Sequence, residues 1–402
     1  MDSIIFHIDV NSAFLSWTAL KLLQEGYETD IREVPAIIGG DQESRHGIVV
    51  AKSIPAKKYG IETAEPVAQA MKKCPNLLMF PPEHRYYVDQ SRKLMAYLSD
   101  ICPVIEQVSV DECYMAYGPI STKFDSPMEA AYYIKDSVRE KFGFTVNVGI
   151  SDRKVLAKMA SDMQKPDKVH TLYHNEIQEK MWPLPISDLF MCGKSASNKL
   201  MSMGINTIGE FAKCDEKLVE SWLKSHGKLI WEFANGIDDS VVNTSREKVK
   251  GVGNSVTLST DLTDLSQAKK VLQKLTKSVE GRMNKKGVMA SSICVEIKYA
   301  DFKSVSHQKQ LNYSVDKYAD MIDTVYNLFE ELWDGEPIRL LGVRTTKLTY
   351  SDEPRQMNLF EFQDMLEKKN KQKKVDEAME SIINKFGEGA ISKGTGGIDF
   401  DE

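Results

Sequence analysis

The sequence predicts a multidomain chain of α/β and α+β class, and three observations carry that expectation. The chain opens on an apolar strand pattern over residues 3–10 that reaches a carboxylate at Asp9 and runs straight into a helical pattern. Residues 101–117 read as a strand-rich hairpin with Asp111 and Glu112 at its bend. Further on, the order strand, helix, hairpin, helix, strand is the split βαβ, ferredoxin-like arrangement. At 402 residues, 42% hydrophobic and 27% charged, the chain has the length of about two to four ordinary domains.

Composition excludes several classes. No apolar run approaches the ~20 residues of a membrane span. The N-terminus has no basic segment before an apolar core, so no signal peptide is read and a cytoplasmic protein is expected. The six cysteines are scattered without a Cys-x-x-Cys pair, which fits free thiols in a reducing compartment and no structural zinc site. His170 and His174 are four apart, but in a strand-like segment that does not align them as ligands. Net charge is −6, yet residues 243–350 hold 17 Lys+Arg against 13 Asp+Glu. Lys269, Lys270, Lys274, Lys277, Arg282, Lys285 and Lys286 crowd into this part. Such a run is either a solvated helix face or a contact for a polyanion.

The elements follow in order. Asn11 or Ser12 is a good N-cap, and Leu15, Trp17, Leu20, Leu22 and Leu23 then recur at helical spacing. The first N–H groups of that helix have no partner one turn back, so the strand end faces a ready phosphate cradle. Residues 35–82 form a small unit, with strands over 36–40 and 47–50 and a short helix over 51–60 that ends at Gly60. Lys52, Lys57 and Lys58 lie there, and such a lysine holds a phosphate as a point charge or is plain solvated surface. Helices over 86–98, 127–142 and 155–163 and a strand over 145–150 surround the hairpin, and Lys165-Pro166 closes the series. From 184 to 238 short helices are joined at glycines, and the Met203-Gly204-Ile205 turn resembles a helix-hairpin-helix element, which binds DNA phosphate without reading sequence. A polar, basic linker follows. Then strands over 292–299 and 344–350 and helices over 264–285 and 318–333 form a compact α+β domain. Beyond 351 the composition is polar, apart from an apolar plug at Gln356 to Phe360.

The chemistry concentrates on three acids. Neighbouring side chains on a strand point to opposite faces, so Asp111 and Glu112 share a site only where the chain turns. With Asp9 on an adjacent strand end they make an oxygen ligand set suited to hard cations. Two such cations are the usual clamp for in-line phosphoryl transfer. A solvated hairpin turn is the plainer reading of Asp111-Glu112 taken alone.

Together these pieces resemble one family, the bacterial Y-family or translesion DNA polymerases. The resemblance runs from Ile4 to about Phe360, 357 of 402 residues. It rests on Asp9-Val10-Asn11-Ser12-Ala13-Phe14, on Ser109-Val110-Asp111-Glu112, on the stretch from Gly149 to Pro166, and on Lys250-Gly251-Val252-Gly253-Asn254-Ser255, in that order. It implies a right-hand polymerase with a ferredoxin-like palm (1–12 and 83–172), small fingers (13–82), a helix-hairpin-helix thumb (173–241), a linker (242–250), an α+β little finger (251–352) and a tail (353–402) with a clamp-binding motif and a C-terminal helix. Asp9, Asp111 and Glu112 would then be catalytic and, with the Val10 carbonyl, would hold two Mg²⁺. Ser12, Ala13, Phe14, Lys57 and Lys165 would bind the incoming dNTP, with Phe14 as the steric gate against a 2′-OH. Gln356, Leu359 and Phe360 would bind a bacterial sliding clamp. The implied enzyme is a monomer that works on primer–template DNA with low fidelity, opposite damaged bases.

The chain also departs from the family pattern. Ile54 and Lys57 stand where many relatives carry a Tyr and an Arg that grip the phosphates, and Lys52 or Lys58 could compensate. Met191 stands where a glycine is common. These departures keep a second reading open, a catalytically weak DNA- and clamp-binding adaptor. A nucleotidyl cyclase uses similar acids on a similar sheet, but has no need of the thumb-like and basic domains.

Overall fold

A computed structural model describes residues 4–40, 47–245 and 248–350, together with 378 and 381. The chain divides into two units, Met1–Glu247 and Lys248–Glu402. In the first, β1 (Ile5–Val10) leads into α1 (Ala13–Gln24). A small insertion follows: β2 (Ala36–Gly39), β3 (Val49–Lys52), α2 (Ile54–Lys57), α3 (Val67–Lys73) and β4 (Leu78–Phe80), with its own sheet in the order β3-β2-β4. The chain then builds α4 (His84–Ile101), the hairpin of β5 (Ile105–Gln107) and β6 (Glu112–Ala116), α5 (Pro127–Phe142), β7 (Val146–Ser151), α6 (Lys154–Met163) and β8 (Val169–Thr171). The main sheet has the order β5-β6-β1-β7-β8. Its first four strands follow the ferredoxin-like order expected from the sequence, and β8 is added in parallel to β7.

β1 is buried along its whole length because both faces are covered. Phe6, Ile8 and Val10 enter a core with Leu94 and Leu98 of α4 and Ile134 and Val138 of α5. The alternate residues meet α6: Ile5 packs on Ala157, and His7 Nδ1 lies 2.8 Å from Ser161 Oγ. α6 comes this close because position 149 has no side chain. A Cβ on Gly149 would overlap the Ala157 carbonyl oxygen and the Ser161 amide nitrogen. The spacing of α6 from the sheet is therefore set by one missing methyl group.

One local expectation is corrected. Strand β3 continues through Lys52, and α2 covers only four residues instead of 51–60. Ser53 sets the break: its Oγ caps the Ala56 amide at 3.1 Å and accepts from Ala36 N at 3.0 Å. In the third segment, α7 (Lys194–Ser202) and α8 (Ile208–Ala212) are short as expected, and α9 (Glu216–Ala234) is likewise broken into two helical pieces by a kink at Lys224 (φ 59°). Gly227 lies in the second piece, against Val219 and Leu223.

The second unit is a sheet in the order β11-β10-β12-β9, made of β9 (Gly251–Leu262), β10 (Val288–Tyr299), β11 (Ser304–Val315) and β12 (Ile338–Tyr350). It packs with α10 (Leu265–Lys286) and α11 (Tyr318–Leu332) around Leu272, Val279, Val295 and Phe329. The sequence reading did not single out β9 or β11. Both are edge strands with mostly exposed or half-buried residues, and the apolar alternation covers only part of each, as at Val256 and Leu258 or Leu311, Tyr313 and Val315. Among the described residues no helix is long and apolar enough to cross a membrane.

Gly149→Ala is expected to force α6 off the sheet and to lower stability by about 2 kcal/mol or more. A urea unfolding curve checks this, and an unchanged midpoint would contradict the packing account.

Candidate active site

Strand alternation decides which side chains meet. On β1, His7 and Asp9 point to the α6 side, and across the ladder lie Tyr114 and Glu112 of β6. Asp111 sits just before β6, where its carbonyl accepts from the Val10 amide at 3.0 Å. On the other flank Asp9 faces Asn147 of β7. The three predicted acids therefore gather at one end of one sheet, next to the start of α1.

A cleft of about 300 Å³ opens at that end. Asp9, Val10, Ser12, Ala13, Phe14, Asp111 and Lys165 line it from the sheet side, and Val50, Ala51, Lys52 and Thr63 from the small insertion. Ser12 is the N-cap of α1, but with a left-handed backbone (φ 47°) and no capping bond from its side chain. The first N–H groups of the helix are thus left without a side-chain cap beside the cleft. Phe14 stacks on Tyr87, with centroids 4.4 Å apart and planes 11° off parallel. Tyr87 is fixed in turn by a 2.8 Å contact between its hydroxyl and Thr18 Oγ1. Phe14 thus presents a braced ring to the cleft.

Each acid has its own local partner. Asp9 is buried and paired with Lys165, which also meets Asp162 at 2.8 Å. Burial opposes the Lys165 charge, but the Asp9 and Asp162 carboxylates more than offset it, so its pKa lies above the ordinary lysine value. Glu112 turns to Lys158 of α6 at 2.7 Å, and His7 Nε2 stands 3.3 Å away. The His7 ring and the Lys158 ammonium hold Glu112 down to about 2. The His7 contact is a close approach without good alignment, since Nε2 has no hydrogen bond of normal geometry. Burial keeps the His7 pKa below its ordinary value. Asp111 accepts from Ser109 Oγ at 2.6 Å. Burial, and then the Asp9 and Glu112 charges, push its pKa up.

Among the described residues no three His, Cys, Asp or Glu side chains are already converged on one metal position. Glu112 does not line the cleft. The physical reason is plain: crowded carboxylates take the nearest ammonium groups, and Lys158 and Lys165 supply them. The donor set still suits a hard divalent cation. It is all oxygen, and Asp111 is close enough to Asp9 and Glu112 that their charges add to burial in raising its pKa.

A buried amide pair that sequence reasoning passed over holds this arrangement. Asn11 Nδ2 donates to Asn147 Oδ1 at 3.1 Å, and Asn11 Oδ1 accepts from Thr145 Oγ1 and the Asp167 amide, each at 2.9 Å. Asn147 Nδ2 donates to the Ser161 and Gln164 carbonyls, and its Oδ1 also accepts from Lys168 N at 3.2 Å. The loop that carries Lys165 is thereby tied to β1, β7 and the end of α6. From outside, Asp167 is gripped by Lys135 and Arg139 at 3.2 and 2.6 Å. Asn147 could have been noticed as a polar residue between Val146 and Val148 in an otherwise apolar strand. His7, set between Phe6 and Ile8, carries the same signal, and Lys158 carries none.

The other predicted residues fall elsewhere. Lys57 lies exposed on α2 and does not line the cleft, while Lys52 does. Gln356, Leu359 and Phe360 lie outside the described residues. In the second unit, Arg282, Arg344, Asn254 and Ser255 line a polar recess of about 300 Å³. Arg282 is fixed by the Gly253 carbonyl at 2.6 Å and by Asn254 Oδ1 at 3.1 Å.

Residues 8–162 match the impB/mucB/samB family, and residues 249–359 match the impB/mucB/samB family C-terminal domain. The chain is 45% identical to a DNA polymerase IV of Clostridium acetobutylicum over 98% of both chains. It is 34% identical to DNA polymerase IV 1 of Bacillus subtilis, over 97% of this chain and 92% of the relative. A solved Y-family DNA polymerase chimera superposes with a TM-score of 0.73 at 21% identity, covering 86% of this chain and 99% of that one.

Asn147→Ala leaves several buried groups without partners and is expected to cost about 3 kcal/mol. Chemical denaturation checks it, and a loss under about 0.5 kcal/mol would contradict the bracing role.

Proposed function

The chain belongs to the impB/mucB/samB family of Y-family DNA polymerases, and from that premise we propose that it extends a primer 3′-OH with dNTPs opposite damaged template bases. The observation that carries the reading is the ladder register that sets Asp9, Asp111 and Glu112 at one sheet end beside the uncapped start of α1.

In this reading Asp9, Asp111, Glu112 and the Val10 carbonyl hold two Mg²⁺, which supply acidification of the 3′-OH and charge neutralisation at the departing pyrophosphate. The chain's own part is positional. The Ser12 and Ala13 amides and Lys165 bind the triphosphate, and the loop that carries Lys165 is held by Asn11 and Asn147. Lys165 moves from Asp9 to phosphate as the nucleotide enters, which frees the carboxylate. Lys158 keeps Glu112 ionised while it waits. Phe14, braced on Tyr87, closes the sugar pocket against a 2′-OH. Lys57 adds positive potential from the surface of α2.

The second unit grips duplex backbone through Arg282, Arg344 and the cations of α10, contacts that are blind to sequence and sensitive to salt. Gln356, Leu359 and Phe360 dock a sliding clamp, and the enzyme works as a cytoplasmic monomer.

Asp111→Ala, or removal of divalent metal by chelation, is expected to abolish primer extension while DNA binding by fluorescence anisotropy stays within about twofold. In the same assay Phe14→Ala should admit ribonucleotides. Extension retained by Asp111→Ala, or unchanged sugar selection by Phe14→Ala, would refute the corresponding assignment.

A further inference from the structure

Among the described residues that line the insertion side of the cleft there is one cation, and it is not the one on the exposed helix. Lys52 is the last residue of β3, paired with Ile37 of β2. The next residue, Ser53, is buried and pinned: its Oγ donates to the Val34 carbonyl at 2.7 Å and accepts from the Ala36 and Ala56 amides. The backbone at this point is therefore rigid, and the Lys52 stem leaves it into the cleft opposite the sheet end. Lys52 is half-buried and lines the cleft together with Asp9, Asp111 and Lys165. Among the described residues it makes no ion pair and no hydrogen bond, although Lys158 and Lys165 each do.

A half-buried ammonium without a partner is held at a cost that an anion would relieve. Burial, and then the Lys57 charge, keep the Lys52 pKa below its ordinary value, in agreement with that geometry. Across the cleft stand Lys165 and the uncapped start of α1, both suited to the same anion. Ile54 is half-exposed and apolar, and Lys57 sits outside the lining.

We infer that Lys52 is the insertion-side residue that binds the triphosphate of the incoming nucleotide, and that Lys57 is subsidiary to it. The inference rests on the polymerase reading above. A lysine acts as a point charge, without the two-pronged geometry of an arginine. Placed on the insertion wall to hold the phosphates of the entering nucleotide, it contributes to binding, so its loss should appear in KM more than in kcat.

The test is steady-state insertion of one dNTP by the full chain, backed by equilibrium dNTP binding to the complex with a dideoxy-terminated primer. Lys52→Ala should raise KM and the dissociation constant about tenfold or more and change kcat far less. Lys52→Arg should recover most of the loss. Lys57→Ala should cost less than Lys52→Ala. Lys72→Ala, which removes the same charge from the exposed surface of α3, should leave both constants unchanged. Wild-type KM in Lys52→Ala, or a larger loss in Lys57→Ala, would overturn the inference while extension by the wild type leaves the polymerase reading standing. A wild type that extends no primer would take both down.

Discussion

Everything at the cleft depends on one constraint, the double antiparallel pairing of β1. Its neighbours β6 and β7 fix Asp9 opposite both Glu112 and Asn147. A slip of one residue would turn His7 and Asp9 into the apolar core and bring Phe6 and Ile8 out to α6. The register is secured on the core side by Phe6, Ile8 and Val10, and on the other side by the close approach of α6 at Gly149. Packing and chemistry thus share one strand, and the acids cannot move without disturbing the core.

The same sheet end concentrates negative charge, and the fold answers with local cations. Lys158 comes from α6 and Lys165 from the loop after it, so one helix and its exit supply both. The loop in turn is fixed by buried amides, which bond to backbone groups, to the Thr145 hydroxyl and to each other. This makes a site whose carboxylates are already positioned and whose counter-charges come from the chain itself. Across the cleft the insertion offers small or apolar side chains, Val50 and Ala51, with a single lysine beside them. Such a wall touches a bound base pair lightly, in keeping with a polymerase that tolerates a distorted template.

Much of this was legible in the sequence. The terminal strand ending in Asp9, the acidic pair in a hairpin and the order of elements specify the ferredoxin-like sheet, because each is a local pattern with a fixed period. Ser12 could be named as an N-cap from its place between a strand end and a helix, whereas Phe14 was named only through the family resemblance. The partners of the acids could not. Lys158 and His7 act through contacts with residues about fifty to a hundred and fifty positions away, and no local period announces such pairs. Lys57 seemed the better phosphate ligand because it stands where many relatives carry an arginine. The structure separates it from Lys52, since Lys52 ends a strand and Lys57 rides on an exposed turn. The edge strands β9 and β11 were missed because their core-facing side is apolar over only part of its length.

The most direct test of the central claim is primer extension on an undamaged and an abasic template, with Mg²⁺ and all four dNTPs. Wild type would run beside Glu112→Ala, with and without a bacterial clamp. The account predicts extension past the abasic position by the wild type, longer products with the clamp, and no extension by Glu112→Ala. Wild-type protein that binds DNA but extends no primer under any of these conditions would contradict it, and would favour an adaptor that has kept the polymerase fold.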